Sequence, residues 1–260
     1  MISRGPGQPG PDGLAASRRP PRAPPLGQEV HDAQAAAAVE NLRRSATRRL
    51  STGLDKAFTL EEFFAGLYAA IKRESGIPSD FLEYTEYEEL ASSVKVYENF
   101  LVTGLLQNES YAREVLRAGQ RADRLDELVA ARMARQEILR RDDPPWLVVL
   151  LDESVIHRTV GDRDIMRAQL ERLLEAMQEP NITVRVVPAG APIYPTAAFS
   201  VLGFDNESDL GYVVSEGGLG QLIEPGSHVS RLGVTFDRIG SFALLVPDSE
   251  KLIRTALESM

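Results

Sequence analysis

The sequence predicts a mixed α/β or α+β protein, in which N-terminal helices precede a small mixed sheet with a β-α-β unit and two C-terminal helices. The strongest observation is the apolar run WLVVLL, which follows two prolines and ends at Asp152 and Glu153. Such a run is typical of a strand buried on both faces. A helical pattern at 162–178 and the apolar segment NITVRVVP come next. Strand, helix and strand in this order predict a parallel, right-handed unit.

Further patterns complete the second half of the chain. The segments AAFSVLGFDN and LGYVVSEGG have the composition of strands and are joined by a polar turn near Asn206. They predict an antiparallel pair, which would make the sheet mixed. Two helices, at about 226–244 and 248–258, are predicted to follow.

Composition separates the N-terminal end from the rest. Residues 1–30 are so rich in Pro, Gly and Arg that we expect a disordered tail. Residues 1–52 carry eight arginines against four acidic residues, a net charge of +4, so the remainder carries −13 of the total of −9. An acidic body repels nucleic acid, and the tail predicts at most weak, non-specific attraction to DNA.

Residue types exclude several kinds of chemistry. There is no cysteine, and the three histidines lie far apart in the sequence without the spacing of metal ligands. We therefore expect no disulfide, no metal site and no cofactor. The chain has neither a long apolar run nor the pattern of a signal peptide at its start, which predicts a cytoplasmic protein without a membrane span.

Helical patterns occupy the region before the sheet. The segment TLEEFFAGLYAAIKRES predicts an amphipathic helix with Thr59 as its N-cap and Phe63, Phe64 and Leu67 on one side. Residues 81–100 predict a further amphipathic helix, whose apolar residues recur at helical spacing. These are Tyr84, Tyr87, Ala91, Val94 and Tyr97.

The stretch LVTGLLQNESYAREVLR predicts a helix-to-helix corner. Thr103 and Gly104 would end the incoming helix, and Asn108 would cap the next one. Tyr111 and Ala112 would lie on the inner face of that second helix.

Several polar residues fall where apolar ones are expected. Arg132 and Gln136 lie in the middle of the apolar face of a helix predicted at 123–140, and Gln169 lies among the apolar positions of the helix at 162–178. A buried arginine needs a partner. We expect the Arg132 guanidinium to bind Glu153, or alternatively Asp152, in a network that holds helix to sheet or lines a small-molecule pocket.

Five motifs in register resemble one known family: VTGLLQNESYAREVL, ARMARQEIL, LLDESVIHRTVG, MRAQLERLLE and NITVRVVP. They resemble the C-terminal domain of unknown function of actinobacterial helix-turn-helix regulators of the Xre type, WhiJ-like and Scr toxin–antitoxin proteins. Thr103 stands where the family usually has proline. The residues that carry the main motif are Gly104, Leu105, Leu106, Gln107, Tyr111 and Ala112.

The resemblance implies a transcriptional regulator that is often encoded beside a small partner protein, and it covers residues 84–260. In that family a DNA-binding unit of five helices precedes the domain. Residues 31–83 leave no room for such a unit and resemble a helical remnant of it with its connector, so residues that bind DNA are not identified. The alternative is an intact but divergent DNA-binding head.

The expected function is therefore regulation, antitoxin-like, through a domain that binds a partner or effector without sequence-specific DNA binding of its own. A small companion protein is the expected partner, and self-association is possible because aromatic residues precede the domain: Phe63, Phe64, Tyr68, Tyr84 and Tyr87. The second alternative is a small-molecule-binding domain or an enzyme that uses Arg132, Asp152 and Glu153. No nucleophile with an adjacent base is evident, so we expect no enzymatic activity.

Overall fold

A computed structural model describes residues 48–74, 79–119, 122–195, 197–214 and 220–260. The predicted tail at 1–30 lies outside these residues, as do the parts of the predicted remnant (31–83) at 31–47 and 75–78. The architecture is mixed α/β: N-terminal helices, a six-stranded mixed sheet and two C-terminal helices, as the sequence predicts.

The elements follow one another in a regular order. The helices are α1 (Arg48–Phe58), α2 (Phe63–Glu74), α3 (Ser79–Leu90), α4 (Glu109–Gly119), α5 (Leu125–Arg135), α6 (Glu153–His157), α7 (Arg163–Ala176), α8 (Ser227–Gly240) and α9 (Val246–Glu258). The strands are β1 (Ser93–Glu98), β2 (Trp146–Asp152), β3 (Ile182–Val187), β4 (Phe199–Gly203), β5 (Leu210–Val214) and β6 (Gly220–Ile223). Short 3-10 helices occupy Gly104–Leu106, Ala122–Arg124 and Gln136–Leu139.

The strand order is β3-β2-β1-β4-β5-β6. Strands β1, β2 and β3 are mutually parallel, and β4, β5 and β6 continue the sheet as antiparallel neighbours. The predicted parallel unit of β2, α7 and β3 is confirmed, and so is the antiparallel pair of β4 and β5. Strand β1 is the point at which the sheet changes from parallel to antiparallel pairing.

Each face of the sheet has its own hydrophobic core. The larger core holds residues of α3, α4, α7 and α9, among them Tyr84, Tyr111, Met166 and Ile253. The smaller core lies on the opposite face, where Phe236 and Ile239 of α8 pack against Tyr97 and Leu150. The sheet is therefore covered by helices on both faces.

Strand β1 corrects the sequence prediction for residues 91–100, which was a helix. The helix ends at Leu90, and Val94 and Val96 then lie in the larger core while Tyr97 lies in the smaller one. The spacing of Val94 and Tyr97 is compatible with one helical face, but in a strand the two side chains point to opposite faces. Pairing with β2 and β4 decides between the two structures.

Two of the predicted helix N-caps, Asn108 and Asp162, are confirmed, and the third, Thr59, is wrong. The backbone N–H of Tyr111 donates to Asn108 Oδ1 at 2.8 Å, and that of Ile165 donates to Asp162 Oδ1 at 2.9 Å. Helix α2 is not capped by Thr59. Asp55, which is buried in α1, instead accepts hydrogen bonds from the first turn of α2, and Thr59 lies in a turn with a φ of 57°.

Candidate functional site

The segment Gly104–Asn108 joins β1 to α4 and is anchored first by a glutamine of the helix that packs on it. Gln136 Nε2 donates to the Gly104 carbonyl at 2.9 Å and to the Gln107 carbonyl at 2.7 Å. Both carbonyls would otherwise be left without a partner in a buried place. Gln136, which interrupts the apolar face predicted for the helix at 123–140, therefore binds backbone carbonyls.

A second glutamine anchors the other end of the same segment. Gln169 of α7 is fully buried, donates from Nε2 to the Leu106 carbonyl at 2.9 Å and accepts from the Asn108 N–H at 2.8 Å. Gln107 adds a third anchor, because its Nε2 donates to the Val102 carbonyl at 2.7 Å. Three glutamines thus hold the segment: Gln169 of α7, Gln136 and the segment's own Gln107.

The remaining family-motif residues pack below this network. Leu105, Leu106 and Tyr111 are completely buried in the larger core, and Ala112 is also completely buried. The Tyr111 hydroxyl accepts a hydrogen bond from the Val102 N–H at 3.2 Å. The predicted helix-to-helix corner is in fact a strand-to-helix corner, since β1 precedes it, and its motif residues fix its shape.

A buried ion pair lies beside the segment. Glu88 of α3 accepts from Arg135 Nη2 at 2.8 Å and also from Arg135 Nε, and it accepts from the Tyr84 hydroxyl at 2.7 Å. The guanidinium carbon lies 5.2 Å from the centre of the Phe81 ring. Burial alone would lower the pKa of Arg135, but the Glu88 carboxylate raises it above its ordinary value. This pair is fully satisfied and holds α5 to α3.

Arg132 lies one turn earlier on α5 and has different surroundings. Its Nη1 donates to Gln107 Oε1 at 2.9 Å, and this is the one hydrogen bond that the guanidinium makes within the described ranges. Burial, together with the charge of Arg135, lowers the pKa of Arg132 to about 10, while Glu98 acts in the opposite direction. The side chain is half-buried.

Glu98 is the last residue of β1 and lies on the same face of the sheet as Val94 and Val96. Its carboxyl group makes no hydrogen bond or ion pair with any residue that the structure describes. Burial raises the pKa of Glu98 to about 8, although the charges of Arg135 and Arg132 oppose the rise. The residue keeps some exposed surface. We call Glu98, Arg132, Gln107 and Gly104 the Glu98 site.

Gly104 lies next to both arginines. A Cβ atom added at this position would lie 3.5 Å from Arg135 Nη1 and 3.9 Å from Arg132 Nε. Both distances are ordinary van der Waals contacts, so a methyl group would fit there and would touch both guanidinium groups.

Asp152 and Glu153 do not join this site, so the expected pairing of Arg132 with either of them does not form. Asp152 caps α6, where its Oδ1 accepts from the Ser154 N–H at 2.9 Å. Glu153 Oε2 accepts from the Ala189 N–H at 2.7 Å. Because α6 begins directly after β2, both carboxylates serve its first turn and the neighbouring loop. Among the predicted residues, the structure brings together Arg132, Gln136 and Gln169 around Gly104–Asn108.

Sequence reasoning missed Glu98 and Glu88. Glu98 continues the alternation of Val94 and Val96, so recognition of the strand would have placed it on the inner face. Glu88 lies four residues after Tyr84 in α3, a helical spacing that points both side chains the same way. Both signals were present, and the helix predicted across 81–100 obscured only that of Glu98, which lies in the strand.

A groove of about 450 Å³ lies on the opposite face of the sheet, between β1, β4 and α8. Lys95, which lines it, is paired with Asp237 at 3.5 Å. Within the described ranges, no three His, Asp or Glu side chains are placed to share a metal ion. None of the helices there is long and apolar enough to cross a membrane.

Comparison with models of protein families gives a match. The model of a domain of unknown function, DUF5753, matches residues 81–255. No curated protein matches the chain. The matched region contains the whole Glu98 site and spans more than half of the chain. The chain therefore belongs to the DUF5753 family.

Proposed function

We propose that this protein is a cytoplasmic regulator whose DUF5753 region binds a small effector at the Glu98 site. The observation that carries the proposal is the pair of half-buried ionisable groups, Glu98 and Arg132, whose charged groups have no hydrogen-bonded partner of opposite charge in the described structure. Buried charges are normally paired. Groups that are left without a partner in a half-buried place are available to a ligand.

The surroundings of these groups favour binding over turnover. Gln136, Gln169 and Gln107 are already committed to the backbone of Gly104–Asn108 and make the wall of the site rigid. Arg132 and Glu98 supply charge and hydrogen bonds but no nucleophile activated by a base. We therefore propose a sensor rather than an enzyme.

The resemblance to Xre-type, WhiJ-like and Scr antitoxin-like regulators of actinobacteria supports a regulatory role. In such an arrangement the effector would change what the domain binds, as expected for coupled equilibria. We propose that the chain acts through that coupling and does not recognise a DNA sequence itself. The test is a fluorescence titration at physiological salt with the promoter of its own operon and with random duplex: a preference of about a hundredfold for the promoter would contradict this part of the proposal.

The effector proposal is tested by thermal shift on the full chain. A panel of sugars, amines, nucleosides, amides and carboxylates is screened against the wild type, and each hit is repeated with Glu98→Gln, Arg132→Met and Gly104→Ala. At least one compound is expected to raise the melting temperature of the wild type, with a smaller rise in Gly104→Ala, whose methyl group would touch both guanidinium groups. If every hit acts equally on all four proteins, ligand binding at this site is wrong.

A second candidate function is binding of a companion protein through the N-terminal helices. Four large apolar side chains at the junction of α1 and α2 are exposed: Phe58 at 65%, Leu60 at 42%, Phe63 at 62% and Leu67 at 50%. An apolar cluster of this size is typical of an interaction surface. Tyr84, which was expected to contribute, does not, because it is buried in the larger core.

Co-expression with a small protein encoded beside the gene, the kind of partner that the resemblance implies, tests this candidate. Co-purification with the wild type is expected to be lost in Phe63→Ser, while Phe100→Ser, a change at an exposed phenylalanine elsewhere, serves as the control. Light scattering of each protein alone reports self-association. Co-purification that survives Phe63→Ser would place the partner elsewhere.

A further inference from the structure

We infer that the exposed apolar face of the α1–α2 hairpin binds the same face of a second copy of this chain, in a two-fold arrangement of four helices. This face, which we call the hairpin face, consists of five residues: Phe58, Leu60, Phe63, Gly66 and Leu67. Helices α1 and α2 precede the residues that match DUF5753, and the inference goes beyond the effector-binding function and does not depend on it. Four observations lead to it: a contiguous apolar surface, a strained turn, two glycines in helix interiors and the distribution of charge.

The hairpin face is contiguous and lies outside the cores of the protein. The ring centre of the half-buried Phe64 lies 6.3 Å from that of Phe58 and 5.3 Å from that of Phe63. Leu67 follows Phe63 at the i+4 spacing that places both on one side of α2. In the described part of the chain, neither hydrophobic core contains a residue of α1 or α2. Because helices of 11 and 12 residues depend on tertiary packing of their apolar sides, the exposed side of this hairpin needs a covering partner.

The turn between α1 and α2 has a strained backbone. Thr59 and Glu62 have φ values of 57° and 56°, in the left-handed region that is unfavourable for residues with a side chain. The buried Asp55 fixes the turn, because its two carboxylate oxygens accept hydrogen bonds from the N–H groups of Phe64 and Ala65 at 2.8 and 2.9 Å. Strain that is held in this way is typical of functional surfaces. Here it accompanies the exposure of apolar side chains on both sides of the turn.

Two glycines in the interiors of α1 and α2 have no steric reason within the described structure. A Cβ atom added at Gly53 or at Gly66 would meet no atom within 4 Å, and neither residue has a positive φ. Glycine destabilises a helix interior relative to alanine. Gly66 lies between Phe63 and Leu67 on the hairpin face, where the missing side chain leaves a hole. A side chain from a helix of another molecule can pack into such a hole, which explains the glycine.

The distribution of charge favours a second copy as the partner. Residues 48–74 carry five basic and four acidic side chains, a net charge of +1, whereas residues 75–260 carry −12. The hairpin is therefore the part of this acidic protein at which two copies meet with the least repulsion. Lys56, near the end of α1, and Glu61, in the turn, are both exposed. In a two-fold pair, Lys56 of each copy would face Glu61 of the other, so the hairpin is complementary to itself in charge.

The size of the hairpin face predicts a weak and reversible pair. Its four large side chains are 42% to 65% exposed, and together they offer on the order of 400 Å² of apolar surface. Two such faces would bury roughly 800 Å² before polar neighbours are added, which is typical of transient interfaces below about 1,200 Å². A two-fold dimer is the commonest form of self-association. We therefore expect a dissociation constant on the order of 10 µM.

Sedimentation velocity of the full chain at physiological salt measures the association, over about 1 to 200 µM. The wild type should show an equilibrium between monomer and dimer. Phe63→Ser and Leu67→Ser should each raise the dissociation constant by about tenfold or more. The matched control is Val234→Ser, a change at a side chain of α8 that is 68% exposed, and it should associate like the wild type. Circular dichroism establishes that each variant is folded, and Leu67→Ser carries the test if Phe63→Ser is not.

The glycines allow a test in which stability and association change in opposite directions. Gly66→Ala should raise the urea midpoint of the monomer, because alanine favours the helix, and should weaken association about tenfold, because the methyl group fills the hole. The matched control is Gly233→Ala, at another helical glycine whose added Cβ would meet no atom within 4 Å. This control should also raise the midpoint but leave association unchanged. A purely structural role for the hairpin would not separate the two variants.

An exchange of charges tests whether the partner is a second copy. Lys56→Glu and Glu61→Lys should each associate more weakly than the wild type at low salt, because like charges then face each other across the two-fold axis. A mixture of the two variants should form a heterodimer about tenfold more tightly than either variant forms its own dimer. A partner of different sequence predicts no such recovery.

Several outcomes would overturn the inference. These are a wild type that stays monomeric at about 200 µM, a Phe63→Ser or Gly66→Ala variant that dimerises like the wild type, and charge variants that do not recover association when mixed. A companion protein that binds the monomeric chain and is lost in Phe63→Ser would also overturn it, and would then be the occupant of the hairpin face. The effector-binding function stands or falls separately, by the thermal-shift screen.

Discussion

The two arginines of α5 lie one turn apart in the same polar cluster and have different surroundings. Arg135 is in the closed part of the cluster, where its charge is paired, and Arg132 is in the open part, where it is not. On the side of α3, Arg135 is bound by Glu88, and its guanidinium lies over the rings of Phe81 and Tyr84. On the side of β1, Arg132 donates a single hydrogen bond to Gln107. The first arrangement satisfies charge and donors within the protein, and the second does not.

This difference teaches how to separate a structural role from a binding role among buried charges. A buried pair that is bidentate and further hydrogen-bonded stabilises the fold only as long as both partners are present. A buried charge that faces an amide and an unbonded acid costs stability, and in a native protein such a cost is typical of a functional site. Substitutions on the two sides should therefore have opposite effects.

The largest effect is expected from Glu88→Gln. The change leaves the guanidinium of Arg135 buried without its counter-charge, which should destabilise the protein by about 3–5 kcal/mol. Urea unfolding at pH 7 measures the loss. The control is Glu137→Gln, which breaks the exposed pair with Arg140 and should cost less than about 0.5 kcal/mol. Equal costs in the two variants would contradict the closed character of the Glu88 pair.

The next largest effect is expected from Gln169, which anchors the segment Gly104–Asn108 beside both arginines. Gln169→Leu removes one donor and one acceptor from buried backbone groups of Leu106 and Asn108. Leaving these groups unsatisfied should cost about 2–4 kcal/mol. Gln178→Leu, at an exposed glutamine with one 3.4 Å bond to the Leu174 carbonyl, is the control. Denaturant unfolding of both variants gives the comparison, and a cost below 1 kcal/mol for Gln169→Leu would mean that the segment does not depend on it.

A smaller effect of opposite sign is expected from Glu98→Gln. The pKa of Glu98 is raised in the folded state to about 8 from an ordinary value of 4.5, so the folded protein binds the proton more tightly than the unfolded chain does. The stability of the wild type should therefore fall as the pH rises from about 4.5 to 8, and this loss is absent in the amide. Glu98→Gln should be more stable than the wild type by about 1–3 kcal/mol at pH 8.5 and similar to it at pH 4.5.

Thermal unfolding of the two proteins at pH 4.5, 6.5 and 8.5 measures this difference. Glu109→Gln, a change at an exposed residue of α4, is the control and should not show a growing advantage with pH. A destabilised Glu98→Gln at pH 8.5 would mean that the ionised carboxylate is held by the protein as firmly as Glu88 is.

The smallest effect on stability is expected from Arg132→Met. The substitution removes an uncompensated cation but leaves Gln107 Oε1 without its donor, so the two effects nearly cancel and the net change should be within about 1 kcal/mol. Arg135→Met, measured by the same urea titration, should lose several times more. A loss above 3 kcal/mol for Arg132→Met would assign Arg132 to the structural side of the comparison.

The sequence predicted those parts of this arrangement that depend on local pattern. The apolar runs of β2 and β3, the caps Asn108 and Asp162, and the polar positions Gln136 and Gln169 were all visible from spacing and residue type. These features depend on neighbours in the chain or on the rule that buried polar groups are bonded.

The choice of partners was not predictable in the same way. Arg132 was expected to bind Glu153 because β2 was the only central strand recognised, whereas β1 brings Glu98 to the same region. Val94 and Tyr97 continue the helical spacing of the preceding tyrosines, and the strand structure of β1 depends on pairing with β2 and β4. An error in one element thus changed the assignment of carboxylates without changing the fold class.

The position of the Glu98 site within the chain also has a consequence for folding kinetics. Strands β1 and β2 are adjacent and parallel, and the connection between them, residues 99–145, contains Gly104, Gln107 and Arg132. The Glu98 site therefore lies inside a long crossover that closes only when the two strands pair, a step that is slow because of its loop entropy. A ligand that bridges Glu98 and Arg132 joins the start of that crossover to its middle. Bound effector should accordingly slow unfolding and protect the crossover from proteases, so that the lifetime of the protein would report the presence of its effector.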